Sequence, residues 1–301
     1  MTNEPLDKDL EIIKRGLNSN PKIYIPDDSL LALLQELQEL PIANKEYTVH
    51  QMKIEDALYD AQTFLRYYYK LRKVPYLHMS KVLGFNFHLI REVNPLKLPI
   101  TLVPTDDIFS GSVTEILTKE SSRKPHIIFR GINLSKTITE QTSASYIHEI
   151  THTQVDRLKG AIKEYYNLEV LSIFNELFHA SVLDKDEFLL RLNDSRRIHE
   201  MSVIAQELKE YSQGLTTMSR EELLDCCKYL ISGLKAYNLF ITFYYADDYL
   251  KNEILDDIQA VFNGYSTIEE ILYKHRITLE TSQNKEKLLR YFGRWKYEFI
   301  R

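Results

Sequence analysis

The chain contains few of the residues that break helices or cross-link loops. Its 301 residues include only nine glycines, nine prolines and two cysteines. The cysteines, Cys226 and Cys227, are adjacent within a helical pattern, where neighbours point in different directions, so we predict neither a disulfide nor a metal site there. The many leucine, isoleucine, glutamate and lysine residues favour a mainly α-helical protein.

An excess of positive charge and a long apolar run are also lacking. The formal net charge is −5, with both signs mixed along the chain, so we expect neither nucleic acid nor a membrane as a partner. No apolar run approaches the length of a membrane span, and the start, MTNEPLDKDL, lacks the apolar core of a secretory signal. We therefore expect a cytoplasmic protein, while its oligomeric state stays unknown.

Hydrophobic periodicity divides the first half of the chain into helices and strands. Residues 28–41 and 53–72 have helical patterns, and Asp27 or Asp28 can cap the first of them. The runs LPITLVPTDDIF and KPHIIFRGIN, in the middle of the chain, are typical of strands. A further helix is predicted to begin between residues 139 and 143 and to end at Gly160. The pattern predicts a small β-sheet just before this helix.

Almost all of the second half is predicted to be helical. The predicted helices are 165–183, 185–191, 196–213, 219–236, 237–262, 266–274 and 283–299. The segment SRRIHEMS, which contains His199 and Glu200, is predicted to be a solvated helix face.

The stretch SASYIHEITHTQVDRLKG carries the pattern H-E-x-x-H. Because residues four apart share one face of a helix, we expect His148 and His152 to direct both imidazoles at one ion. Glu149 is turned by about 100° from His148 on such a helix, which suits a carboxylate acting as general base on a metal-bound water. This arrangement is typical of zinc metallopeptidases. The alternative is an ordinary helix that carries two histidines.

A catalytic zinc site also needs a third protein ligand. The following segment, EYYNLEVLSIFNELFHASVLD, carries Glu169 and Glu176 seven residues apart and therefore nearly on one face. Glutamates on an apolar helix need partners, and a zinc ion with its histidines would supply one. Chain geometry allows either glutamate to be the ligand. The Asn-Glu pair at Glu176 is similar to that of thermolysin-type enzymes, although Ala180 stands where those have aspartate.

The spacing from Glu169 to Glu176, with Ser172 between them, resembles the E-x-x-S-x-x-x-E element of the thimet oligopeptidase and oligoendopeptidase family. This resemblance implies a zincin-like helical catalytic domain of the gluzincin type. It further implies that Glu169 is the third zinc ligand and that Glu176 orients a histidine from outside the coordination sphere.

A later segment, AYNLFITFYYADDYL, resembles the tyrosine-rich helix of the same family. The resemblance implies that Tyr237 and Tyr244, or Tyr245 in place of Tyr244, donate hydrogen bonds to the substrate oxyanion. The chain departs from the family pattern at Leu239 and Phe240, where glycines are usual, and no histidine precedes Tyr237. The resemblance covers about residues 125–180 and 230–260, in a chain about half the usual length for the family.

These observations predict a zinc-dependent metallopeptidase with Zn²⁺ as cofactor and peptides as substrates. The enclosing helices of the family imply short peptides. Residues 1–95 would form a helical N-terminal part and residues 96–301 the zincin-like catalytic part, within one continuous unit. The alternative is a non-catalytic, zinc-binding helical protein with a regulatory or binding role. Hydrolysis of a non-peptide amide or ester by the same site is a third possibility.

Overall fold

The fold is known from a computed structural model. It describes residues 21–39, 51–52, 63–70, 77–79, 100–105, 112–119, 125–135, 138–139, 147–148, 151–152, 164–183, 188–279 and 281–293. This part of the chain is mainly helical, so the prediction of a mainly α protein is confirmed there. The division at residue 95 and the helix end at Gly160 lie outside what these ranges test, and both stay predictions.

Eight helices in the described ranges are numbered here in chain order. They are α1 (Asp28–Gln38), α2 (residues 63–69), α3 (Val170–Leu183), α4 (Phe188–Ser212), α5 (Arg220–Tyr244), α6 (Asp248–Phe262), α7 (Ile268–Lys274) and α8 (Thr281–Gly293). A 3-10 turn, Tyr165–Asn167, precedes α3. Residues 147, 148, 151 and 152 are also helical, and we call them the histidine helix.

Polar side chains cap several of these helices by accepting from backbone amides that have no partner within the helix. Asp27 caps α1, where its Oδ1 accepts from the Leu30 amide at 2.8 Å. Ser219 and Glu222 form a reciprocal capping box at the start of α5. These caps explain why the helices begin where they do.

Two predicted helix boundaries are wrong. The predicted helices 185–191 and 196–213 form the single helix α4. The predicted break between residues 236 and 237 does not exist, since α5 continues to Tyr244 and α6 begins only after Asp247. A new helix begins after Asp247, because the Asp247 side chain accepts a hydrogen bond from the Leu250 amide at 2.9 Å.

Apart from α2, short strands occupy the described part of residues 51–139. They are β1 (Gln51–Met52), β2 (Leu77–Met79), β3 (Ile100–Thr105), β4 (Ser112–Lys119), β5 (Pro125–Ser135) and β6 (Ile138–Thr139). Four of them form one sheet in the order β2-β3-β5-β4, in which β2–β3 and β3–β5 are parallel and β5–β4 is antiparallel. The strands β1 and β6 form a separate antiparallel pair. Backbone pairing alone does not identify the sheet of a zincin domain. The zincin-like fold with its small sheet therefore stays a prediction.

The helix α5 is the centre of the described core. It packs against α3, α4, α6, α8 and the 3-10 turn. An aromatic cluster fills the contact with α3, where the rings of Phe174 and Phe178 meet those of Phe240 and Phe243 at centroid distances of 4.6–6.3 Å. All four side chains are buried. This packing fixes the start of α3 relative to α5, and that start positions one of the candidate ligands.

Among the described helices, none is long and apolar enough to cross a membrane. Cys226 and Cys227 are free cysteines, the first partly exposed and the second buried.

Truncating Phe174 should reveal the importance of the aromatic cluster. The side chain is fully buried, so F174A should lower the free energy of unfolding by about 3–5 kcal/mol through lost burial and a residual cavity. Chemical denaturation measures the change. The control is Y249A, because Tyr249 is 80% exposed and its loss should change stability by less than about 0.5 kcal/mol. Equal effects of the two substitutions would contradict this description of the core.

Candidate metal centre

The histidine helix brings its two imidazoles together. His148 and His152 are both buried, and their Nε2 atoms lie 3.2 Å apart. The prediction that residues four apart direct both rings to one side of the helix is therefore confirmed. Glu149, the predicted general base, lies outside the described residues.

Glu169 completes a three-residue group with the histidines. Its Oε2 lies 2.8 Å from His152 Nε2 and 3.4 Å from His148 Nε2. All three residues are buried, and no other group of histidine, cysteine, aspartate or glutamate within the described ranges meets the same spacing for a metal ion. Of the two glutamates that the sequence leaves open as third ligand, Glu169 is the one that faces both Nε2 atoms.

The spacing of the three atoms fits a single metal ion. The circle through them, drawn from the distances of 3.2, 3.4 and 2.8 Å, has a radius of about 1.8 Å, which is shorter than the roughly 2.0–2.1 Å bonds that zinc makes to such ligands. The three atoms could therefore hold one ion at normal bond lengths. Two imidazole nitrogens and one carboxylate oxygen form a donor set that suits several transition metals.

Glu169 lies at the start of α3, where its backbone is held on several sides. Its carbonyl accepts from the Ile173 amide at 2.9 Å, and its own amide donates to Ser232 Oγ on α5 at 3.4 Å. The same Ser232 hydroxyl donates to the Tyr166 carbonyl at 2.6 Å. The second carboxylate oxygen, Oε1, lies 3.9 Å from Lys228 Nζ, also on α5. The two oxygens thus have different neighbours, and only Oε2 faces the histidines.

Glu176 lies behind His148 and not beside the Nε2 atoms. Its Oε2 is 3.3 Å from His148 Nδ1. Two arginines of α4 contact the same carboxylate: Arg196 donates to Oε1 at 2.9 Å, and Arg197 donates to Oε2. Both arginines also contact Glu200, on the more exposed side of α4. A chain of polar contacts therefore runs from the imidazole to α4.

A second polar chain holds the histidine helix against α3. Asn175 Nδ2 donates to Thr151 Oγ1 at 3.1 Å, and Thr151 in turn donates to the Ile147 carbonyl at 2.7 Å. The Tyr69 hydroxyl, from α2, donates to Asn175 Oδ1. All of these side chains are buried, so each polar contact compensates for lost hydration. These hydrogen bonds fix the rotation of the histidine helix, and that rotation directs the imidazoles at Glu169.

Burial and neighbouring positive charge shift the pKa values of the two buried glutamates of the site in opposite directions. Burial would raise the pKa of Glu169, but the neighbouring His152 and His148 hold it well below its usual range. Burial would likewise raise the pKa of Glu176, but Arg197, His148 and Arg196 hold it far below the usual range. Both groups are therefore carboxylates at neutral pH. The site presents two anions, one on each side of His148.

His179, one turn beyond Glu176, is kept neutral. Burial lowers the pKa of His179 to about 4, and the charge of Glu176 offsets only part of that effect. Its ring packs edge-on against Phe64 at a centroid distance of 5.1 Å. This histidine is therefore part of the packing around the site and adds no positive charge at neutral pH.

The predicted tyrosines are placed differently from the metal group. Tyr237 is fully buried, and its hydroxyl donates to Asp194 Oδ1 at 3.1 Å. Burial, followed by the charge of Asp194, raises the pKa of Tyr237 well above its usual value. Tyr244 stacks against Phe240 and Tyr291, whereas Tyr245 is exposed. The described contacts join His148, His152, Glu169 and Glu176 to one another, but they do not join these tyrosines to that group.

Sequence reasoning missed Arg196, Arg197 and Lys228. The segment around the two arginines was expected to be a solvated helix face, and His199 is indeed exposed. However, the Arg197 side chain is only 15% exposed and its charge is directed inwards at Glu176. The cue was present in Glu176 itself, because a buried carboxylate on an apolar helix needs a cation. No feature of the sequence indicates which arginine or lysine pairs with Glu176.

No protein-family model, curated protein or solved structure matches this chain.

The geometry predicts different effects for the two glutamates. E169A should abolish high-affinity zinc binding, because it removes one of three converging donor atoms. E253A, a change to a surface glutamate of α6 that pairs with Lys274, is the control and should bind zinc as the wild-type protein does. Isothermal titration calorimetry with zinc measures both. Unchanged zinc affinity in E169A would show that this carboxylate is not a ligand.

Proposed function

We propose that this protein is a zinc-dependent metallopeptidase in which His148, His152 and Glu169 hold the metal. The single observation that carries the proposal is the convergence of their Nε2, Nε2 and Oε2 atoms within 2.8–3.4 Å of one another. Two histidines and one glutamate form the ligand set of thermolysin and carboxypeptidase A, which leaves a fourth position for water or substrate. The H-E-x-x-H pattern, which supplies a glutamate directly after the first histidine, favours zinc and hydrolysis over other uses of this set.

A bound zinc ion would supply a Lewis acid and lower the pKa of a coordinated water to near neutrality. The protein residues would do the remaining work. His148 and His152 would hold the ion through Nε2 and Glu169 through Oε2, while Glu169 Oε1 faces Lys228. Glu149 would accept a proton from the attacking water and deliver it to the leaving amine. Glu149 is assigned as the catalytic base because it is the glutamate of the H-E-x-x-H pattern.

The proposal assigns stabilisation of the oxyanion to a tyrosine near the end of α5. The resemblance assigns this role to Tyr237 and Tyr244 or Tyr245. The Tyr237 hydroxyl donates to Asp194, so it would have to leave that partner before it could serve a substrate. Tyr245 is exposed and has the Arg290 guanidinium over its ring at 5.2 Å. We therefore keep Tyr244 and Tyr245 as the candidates for this role.

The burial of Tyr237 specifically favours a second candidate function. A protein that binds zinc through the same three residues but lacks an oxyanion donor would be a non-catalytic binding or regulatory protein. In that case the metal would stabilise the contact between the histidine helix and α3, because the ligands come from both. Both candidates require zinc, and only the first requires Glu149.

Peptides, short ones in particular, are the proposed substrates, and the cytoplasm is the proposed location. The substrate class follows from the H-E-x-x-H pattern and the family resemblance, and the location is compatible with two free thiols. A non-peptide amide or ester would suit the same chemistry and belongs in any substrate screen.

The conservative variant E149Q tests the proposal. Wild-type protein should contain about one zinc per chain and cleave members of a peptide library. E149Q should keep the zinc and lose at least about 100-fold in kcat/KM, because it lacks the general base. Metal analysis and mass spectrometry of the digested library measure the two properties. The control E253Q changes a surface glutamate paired with Lys274 and should behave as the wild type.

Each remaining outcome has a defined meaning. Equal cleavage by the wild type and E149Q would rule out the mechanism. Zinc in the wild type without cleavage of any peptide, amide or ester would support the non-catalytic alternative. A wild-type protein without metal would remove both candidates.

A further inference from the structure

Arg196 and Arg197 on α4 form a cationic clamp around one buried carboxylate. Arg196 donates to Glu176 Oε1 at 2.9 Å, and Arg197 donates to Oε2. The side chain of Glu176 is only 1% exposed, while those of the arginines are 30% and 15% exposed. A buried carboxylate is costly unless charged or hydrogen-bonding partners compensate for lost hydration. Here each oxygen receives its own guanidinium, so the carboxylate is held in one position.

The clamped carboxylate meets the first histidine of the metal group. Glu176 Oε2 lies 3.3 Å from His148 Nδ1, and His148 Nε2 lies 3.4 Å from Glu169 Oε2 on the opposite side of the ring. A carboxylate is an acceptor only, so Glu176 favours a proton on Nδ1 of His148, and a metal held at Nε2 would select the tautomer that carries only this proton. That tautomer leaves a lone pair on Nε2, which is the form of imidazole that binds a metal.

We propose that Arg196 and Arg197 are positioning residues of the metal centre, which act through Glu176 to hold His148 in the orientation and tautomer that bind the metal. The inference rests on the proposed metal site but not on peptide hydrolysis. It extends the site from the histidine helix and α3 to a third element, α4. The arginines do not contact the metal ligands' donor atoms, so their effect should pass entirely through Glu176.

Two features make this clamp more than a general support of the fold. Arg197 and His148 share the same oxygen of Glu176, so a movement of Arg197 changes the acceptor that His148 faces. The two arginines also contact Glu200 on their outer side, at 3.4 Å and 3.0 Å. Glu200 therefore provides a control that removes an exposed charge contact of the arginines while both guanidinium contacts to Glu176 stay in place.

A double-mutant cycle on the full-length chain tests the inference. R197Q and E176Q should each weaken zinc binding by about 10–100-fold, the range seen when the hydrogen-bond partner of a metal-binding histidine is removed. The double variant should bind no more weakly than E176Q alone, because Arg197 acts only through that carboxylate. Competition with a chromophoric zinc chelator measures the affinities. The control E200Q should bind within about threefold of the wild type by the same measure.

A second readout is spectroscopic. In the zinc-loaded protein, long-range ¹H–¹⁵N spectra should show His148 with a proton on Nδ1 that exchanges slowly with water in the wild type and in E200Q. R197Q should speed the exchange of this proton, since the carboxylate that faces it is no longer held in place. If R197Q does not fold, R197K takes its place, because it keeps the charge but loses the planar guanidinium. R197K should give a smaller loss of affinity.

The outcomes separate this inference from the proposed function. Unchanged zinc affinity and unchanged exchange of the His148 Nδ1 proton in R197Q would overturn the inference alone. Independent, multiplying losses in R197Q and E176Q would also overturn it, because the route through Glu176 would then be wrong. A wild-type protein that binds no zinc would overturn both proposals. Loss of zinc affinity in R197Q in a protein that cleaves nothing would support the clamp and exclude the peptidase.

Discussion

The buried carboxylate of Glu176 is the constraint on which the rest of the site depends. Its negative charge lies in the interior of a helical protein, where an uncompensated ion would destabilise the fold by several kcal/mol. Compensation comes from two directions, the arginines of α4 and the His148 ring. This single group therefore requires that α3, α4 and the histidine helix lie together. The three-residue group at the other face of His148 forms as a consequence of that arrangement.

The aromatic core supports the same arrangement from the other side of α3. Phe174 and Phe178 point toward α5, while Asn175 and Glu176 point toward the histidine helix and α4. Neighbouring positions of one helix thus bury an apolar face and a polar face at once. A helix that is buried on nearly every side can carry a polar cluster only if each polar atom finds a partner. Such a helix supports the candidate metal ligand that precedes its first turn.

The sequence predicts the parts of this site that depend on spacing within one element. Four-residue spacing placed His148 and His152 together, and seven-residue spacing placed Glu169 and Glu176 on one side of α3. The sequence does not predict contacts between distant elements. The partner of Glu176 could have been any cation in the chain, and Arg197 has the same local pattern as an exposed arginine. The distinct roles of Glu169 and Glu176 likewise required the rotation of α3, which Asn175 and Thr151 fix.

Helix boundaries failed where the apolar pattern continued without a break. Residues 237–243 are as apolar as the residues before them, so the periodicity contains nothing that separates one helix from two. The actual end at Tyr244 follows from the capping aspartate at position 247. This correction matters for function, because it places Tyr237 in the middle of a buried helix and directs its hydroxyl to Asp194.

The position of Glu169 has a consequence for how the proposed metal would be taken up and released. This residue precedes the first turn of α3 and follows a 3-10 turn that is joined to α5 by Lys235 and to α7 by Glu269, both through Asn167. Backbone at helix ends opens more readily than backbone in helix centres. Fraying of this turn could withdraw the carboxylate while the histidines stay in place, so the kinetics of metal exchange would be set by local unfolding at residues 165–169. Amide exchange at that turn would then slow as the ion binds.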